Sequence, residues 1–178
     1  MEFSVAGSIE LLRSTPHAVK GLLGSLGAGW LEAREGEDSW SPLEVVAHLI
    51  VCEQTNWIPR LRAITWDGGG TALQPIDMSA HFELASGCPM AELLERFSVH
   101  RAFSLSELQQ YRFRDADLDM TGVHPSLGAV TLRQIIATWV AHDLSHIAQL
   151  SRILAKQYSD HVGPFETFLR ILKNNPSS

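Results

Sequence analysis

The sequence predicts an all-α fold: a four-helix bundle with long connecting loops and a short C-terminal helix. Three observations carry this reading. Apolar residues recur at helical spacing in four long segments. Two of those segments open on capping boxes. No segment reads convincingly as a strand.

The first helical region covers roughly 4 to 26, with Ile9, Leu12, Val19, Leu22 and Leu26 as apolar anchors. Pro16 is expected to kink it or split it in two, because proline lacks an N–H and its ring clashes with the preceding turn. Glycines 24, 27 and 29 end it, and the connector "GAGWLEAREGEDSW" follows. "SPLE" at 41–44 then starts a second helix: Ser41 caps, Pro42 suits the first helical position and Glu44 completes the box. This helix is expected to run to about 66, bent by Pro59, and to stop at "DGGG", residues 67–70.

Residues 67–88 read as a long Gly-, Pro- and Ser-rich connection. A third helix spans about 89 to 110 on Met90, Leu93, Leu94, Phe97 and Leu105. Residues 111–130 are irregular. The fourth helix opens on the box Thr131–Gln134 and runs to about 158, and a short helix at about 164–173 precedes a polar tail. Four amphipathic helices in 178 residues form one domain, 1–178, organised as a bundle. The two loops of about 20 residues exceed what an up-down bundle needs, which suits them to shaping a pocket.

Composition narrows the partners. The chain is 45% hydrophobic and 19% charged, so it has material for a core. A net charge of −6 argues against a nucleic-acid or anionic-membrane partner, because both need a basic face. No window approaches the roughly 18 unbroken apolar residues of a membrane span. The N-terminus lacks the basic and apolar regions of an export signal, so a cytoplasmic protein is expected. Cys52 and Cys88 are expected to be thiols.

The chemistry concentrates in "TWVAHDLSHIAQL", residues 138–150. At about 100° per residue, Gln134, Thr138, Ser145, Arg152 and Lys156 share a solvent face. Leu132, Ile136, Trp139, Ile147, Leu150 and Leu154 share the opposite one. Asp143 falls near the centre of that apolar face, with His146 beside it and His142 at its edge next to Gln149. A buried carboxylate needs a partner. One reading pairs Asp143 with an arginine of a neighbouring helix and satisfies the histidines by hydrogen bonds. The other lets His142 and His146, about 6 Å apart along the helix axis, converge on a metal ion.

Two histidines do not complete a site, because catalytic zinc usually takes three protein ligands. The best third candidate is His48, which lies just outside the apolar arc of its helix on the side of Glu44. That position equally fits a solvated histidine. Cys52 and Glu44, each one turn away, are rival ligands, with Cys52 ranked low because buried thiols are common core filler. Glu53 projects into the apolar arc and reads as a structural ion pair.

"WSPLEVVAHL" at 40–49, followed about 90 residues later by "TLRQIIATWVAHDLSHIAQL", resembles the DinB/YfiT-like superfamily of DinB_2 type. The likeness extends over nearly the whole chain in helix order and spacing. It implies a four-helix bundle holding a divalent metal on His48, His142 and His146. It implies roles for Asp143 and Gln149 in orienting a ligand imidazole or closing the site. Characterised members include metal-dependent enzymes that use small thiols such as bacillithiol or mycothiol, namely S-transferases and maleylpyruvate isomerases. A homodimer is also implied.

The expected function is therefore a metal-dependent enzyme, with zinc or nickel as the ion, a small electrophilic molecule as substrate and a low-molecular-weight thiol as cofactor. Asp143 is the candidate general base, unless orientation uses its carboxylate fully. A non-catalytic metal or small-molecule binding bundle is the alternative, and a structural protein without metal is the third reading. Other residues take plainer roles. His81 and His124 read as loop histidines, solvated or at a pocket mouth, and His17, His100 and His161 as surface or helix-flank residues. Trp40, Trp57 and Trp139 read as packing residues, with Trp139 also placed to wall the metal pocket. Arg60 and Arg62 read as a solvated helix flank or a site for an acidic substrate. Apolar residues at 165, 168, 169, 171 and 172 suit a dimer contact or a cap on the bundle.

Overall fold

The structure, a computed structural model, describes residues 2–66 and 70–173. Four long helical segments make the bundle. Helix α1 is Val5–Leu23 and α2 is the single turn Ala28–Leu31. Helices α3, Pro42–Thr55, and α4, Trp57–Trp66, follow one another; α5 is Ala80–Gly87, α6 is Met90–Gln110 and α7 is Leu132–Lys156. Helix α1 packs on α6 and α7, and α3 packs on the same two, so the first two long segments do not pair as the sequential neighbours of a simple up-down bundle would.

Both expected capping boxes form. Ser41 Oγ accepts from the Glu44 N–H while Glu44 Oε2 accepts from the Ser41 N–H at 2.7 Å. Thr131 and Gln134 do the same at the start of α7. These satisfy donors that a helix start otherwise leaves free.

The two prolines act in different ways. Helix α1 runs through Pro16 without a break. Proline at 16 leaves the carbonyl of Leu12 without its usual intrahelical donor, and Arg101 Nη1 donates to that carbonyl at 2.7 Å. The expected single helix over 41–66 divides at Asn56 instead of bending, because Pro59 cannot donate to the Thr55 carbonyl one turn earlier.

Strands are present, which corrects the strand-free reading. Thr71–Ala72 (β1) pairs parallel with Thr121–His124 (β2), which pairs antiparallel with Gly128–Thr131 (β3). These strands are too short to show a period-2 pattern. Gly128, at φ 74°, closes the hairpin in a backbone region that disfavours side chains. Gly122 lies where a Cβ would come within 2.8 Å of Ile64 Cγ1 and 3.0 Å of Leu73 Cδ2, so the sheet rests closely on the bundle end. The loop 67–88 also carries α5, which the sequence reading missed. The expected C-terminal helix is two 3-10 turns, Gly163–Phe168 and Arg170–Leu172; Leu172 is buried where the second turn packs on α7. The expected helix stop at 67–69 and the polar tail at 174–178 lie outside the described residues. No helix among the described residues is long and apolar enough to cross a membrane.

The apolar core falls into two clusters. One gathers Leu12, Cys52, Trp57, Leu61, Leu105 and Trp139; the other gathers Val19, Leu49, Ile50, Phe97, Leu150 and Ile153. On α6 and α7, the residues between these sets are Arg101 and the stretch His142–His146. A polar layer thus interrupts the core at one height of the bundle.

Candidate metal centre

Three imidazoles converge in this layer. His142 Nε2 lies 3.1 Å from His48 Nε2 and 3.1 Å from His146 Nε2, and one nitrogen from each ring lies within 4.8 Å of the others. The i,i+4 spacing on α7 brings His142 and His146 together, and α3 supplies His48, which is buried. His48 is thus neither solvated nor apart from the pair.

The outer contacts fix the rings. His146 Nδ1 donates to Gln149 Oε1 at 2.8 Å, so its Nε2 presents a lone pair toward His142. His142 Nδ1 stands 3.7 Å from Asp143 Oδ1. Nitrogens that share one ion at about 2.0–2.1 Å each lie roughly 3.0–3.5 Å apart. The observed 3.1 Å spacings match that, and a lone pair facing a neighbouring ring at this distance needs a shared proton or a cation. The residues present therefore fit a divalent ion. Burial and the neighbouring rings push His48 down to about 3, and burial with His142 pushes His146 down to about 4, so both are neutral and ready to ligate near pH 7.

Asp143 is buried, as its place on the apolar face requires. Its Oδ2 lies 2.7 Å from Arg101 Nη1, while Arg101 Nη2 donates to Glu53 Oε1 at 2.7 Å. Trp139 Nε1 donates to the same Glu53 oxygen at 3.0 Å. Burial alone opposes ionisation of Asp143, but His142 and Arg101 outweigh it and hold the carboxyl below its ordinary value. Glu53 is in an ion pair, as the sequence suggests. Arg101 was not singled out, although Phe97, Arg101 and Leu105 at four-residue spacing place an arginine on an apolar stripe, a signal the sequence does carry.

The other candidates separate. Glu44 is committed to its capping box and to Arg34, at 2.6 Å, which removes it as a ligand. Cys52 remains beside the triad: its Sγ is 3.4 Å from His48 Nε2 and 4.0 Å from His142 Nε2. Burial, with Glu53 and Asp143 nearby, pushes its thiol up to about 12 in the absence of a cation. Arg62 pairs with Glu107, and Arg60 donates to the Gln74 carbonyl at 3.1 Å, so neither reaches the triad as an open anion site.

Aromatic rings wall the histidines. Trp40 lies 4.8 Å from His48 and stacks on His146 at 6.1 Å between centroids. Trp57 meets His142 edge-on at 5.1 Å and stacks on Trp139 at 5.6 Å. The tryptophans that touch the three imidazoles are thus Trp40 and Trp57, while Trp139 braces Trp57 and Glu53. The loop histidine reading fails for His81. It lies on α5, fully buried against Trp40 at 4.3 Å, and neither ring nitrogen has a hydrogen-bond partner among the described residues. His124 stays on the hairpin, half-buried, and accepts from the Ser126 N–H. His17 and His161 are exposed, and His100 contacts Gln54. The loop carrying α5 also borders a cleft of about 400 Å³ lined by Leu31, Leu43, Ala85 and Met90, and none of the three histidines lines it.

Known proteins agree with this architecture. The chain is similar to YfiT from Bacillus subtilis, described as a probable metal-dependent hydrolase with an unusual four-helix bundle topology. The TM-score is 0.75 at 19% identity, over 88% of this chain and 90% of that one. It is also similar to TT2238, a four-helix bundle protein, with a TM-score of 0.57 at 23% identity over 83% of this chain and 98% of that one. At these identities the likeness is one of fold. No curated protein matches the chain. Residues 11–150, which carry all three histidines, match the DinB superfamily, and the chain belongs to that family.

Proposed function

We propose that this protein is a divalent-metal-dependent enzyme acting on a small electrophilic molecule, with His48, His142 and His146 as the ligands. The convergence of three Nε2 atoms carries the reading. Zinc or nickel suits imidazole donors. Such an ion would lower the pKa of a thiol or water reaching it and supply a nucleophile near neutral pH. Gln149 holds the His146 tautomer, and Trp40 and Trp57 limit water around the rings. Asp143 is better suited to orienting His142 than to proton transfer, since Arg101 engages one of its oxygens.

A low-molecular-weight thiol as co-substrate, and hence S-transfer, is the first form of this reading. Hydrolysis is the second, favoured by the fold shared with YfiT, a probable metal-dependent hydrolase. A non-catalytic metal-binding bundle is the alternative to both. We further propose that the protein is cytoplasmic and a homodimer; the exposed Phe165, Phe168 and Ile171 near the C-terminus support the dimer.

The test is elemental mass spectrometry on untagged wild-type protein and on a His142→Ala/His146→Ala variant. Near-stoichiometric metal in the first, lost in a still-folded second, is expected. Protein that stays metal-free after dialysis against Zn²⁺ or Ni²⁺ would sink the reading.

A further inference from the structure

We propose that His81 is a substrate-contacting residue of the metal centre: without binding the ion, its ring N–H donates to an oxygen of the small molecule docked at the three histidines. The inference rests on the metal reading above and deepens it. It names a residue that selects the substrate and the class selected, an electrophile that carries an oxygen acceptor.

The sequence of α5 makes this histidine conspicuous. Only His81 and Ala85 of the helix are buried, one turn apart on its inner face. A helix that merely covered the core would carry Leu or Phe at 81, since an apolar side chain gains from burial and needs no partner. His81 is instead 0% exposed, and neither ring nitrogen has a hydrogen-bond partner among the described residues. In either protonation state an imidazole has at least one N–H to donate. A buried donor left unpaired costs free energy, so this ring calls for an acceptor. The two carboxylates whose charge acts on it are occupied: Glu44 by Arg34 and the Ser41 N–H, Asp77 by the N–H and hydroxyl of Ser79.

The ring's position points to the source of the acceptor. His81 packs on Trp40 at 4.3 Å, and the same indole contacts His48 at 4.8 Å and stacks on His146 at 6.1 Å. His81 also meets His48 directly, nearly perpendicular, at 5.6 Å between centroids. One tryptophan thus holds the unpartnered imidazole beside two of the three that converge. His81 is not a fourth member of the group: the nitrogens within 4.8 Å of one another are those of His48, His142 and His146. Three protein ligands leave a position open, and a molecule docked there supplies the acceptor that His81 lacks. Oxygen suits the N–H, because sulfur accepts weakly. Solvent reaches the triad at His142, whose side chain is 21% exposed. Bringing an oxygen to His81 takes an outward shift of α5, whose start has no side-chain cap.

Acetate and ethanethiol test this on the full chain loaded with cobalt(II), with the visible d–d bands reporting binding. Acetate can put one oxygen on the ion and offer the other to His81, whereas ethanethiol has sulfur alone. His81→Leu should match wild type for cobalt, by chelator competition, and for ethanethiol. It should bind acetate about tenfold more weakly, as the loss of one hydrogen bond to a carboxylate predicts. His81→Gln keeps an N–H and should recover part of that affinity. In zinc-loaded wild type, acetate should move the nitrogen NMR resonances of the His81 ring, a readout that needs no variant to fold. Equal acetate affinity in wild type and His81→Leu, or His81 resonances unmoved when acetate binds, overturns the contact and leaves the triad standing. Acetate and ethanethiol weakened alike overturns the oxygen-specific role, as does wild type that takes up cobalt but no acetate. Loss of cobalt from folded His81→Leu overturns it too, since His81 would then hold the ion. Folded wild type that takes up no cobalt overturns the triad and His81 together.

Discussion

Arg101 is the residue on which the buried layer depends. Its guanidinium reaches Glu53, Asp143 and the Leu12 carbonyl, with less than a tenth of its surface exposed. Arg101→Leu leaves two carboxylates without their cation, and loss of one partner of a buried pair is worth about 3–5 kcal/mol. Urea denaturation should show a loss of that order, and metal affinity should fall because Asp143 no longer holds its position beside His142. An unchanged unfolding midpoint would show that the network contributes nothing to stability. The histidines give a second prediction at this scale. In metal-free protein His48 and His146 titrate at about 3 and 4, against 6.5 ordinarily. Between those values the unfolded chain binds more protons than the folded one, so stability rises with pH through the window. It is complete above pH 6.5 and is lost as pH falls, by roughly 2 kcal/mol for each histidine at pH 5. Urea midpoints at pH 7 and pH 5 in chelator should diverge in wild type and converge in His48→Gln/His146→Gln.

At the scale of elements, helix starts were the most legible features. Ser-Pro-Leu-Glu and Thr-Leu-Arg-Gln each form the box their spacing predicts, because capping needs only residues within four positions. Ser41→Ala and Thr131→Ala should each cost about 1 kcal/mol in thermal or chemical unfolding. Strands and α5 were not legible. Two to four residues carry no periodicity, and β1 meets β2 about fifty positions away. Gly122→Ala tests that meeting: its Cβ would press on Ile64 and Leu73, and overpacking of this kind is worth about 1–3 kcal/mol. A neutral result would mean that the sheet lifts freely from the bundle.

At the scale of the whole molecule, metal binding at the three histidines would be linked to stability. An ion that binds only the folded chain adds about 2.7 kcal/mol at a hundredfold excess over Kd, a Tm rise of roughly 5–10 °C. Calorimetry with Zn²⁺ or Ni²⁺ should show that rise, and His142→Ala should abolish it. Sedimentation across a concentration series should give a dimer, weakened by Phe165→Ser/Phe168→Ser, whose exposed rings otherwise face solvent.

The sequence by itself determined the long helical segments, the capping boxes that open two of them and the presence of ionisable groups on an apolar face. Each of these follows from spacing along one chain segment. It also brought His48, His142, His146, Asp143 and Gln149 forward together, through helical phase and family resemblance. Only the tertiary structure decided which groups meet across segments: Arg101 with Asp143 and Glu53, Cys52 with the imidazoles of His48 and His142, and His81 under Trp40. A helical wheel fixes the direction of a side chain but not what stands opposite. That is set by how four helices and two long loops pack, and the cost of leaving a buried charge or ring nitrogen unpaired selects among the packings.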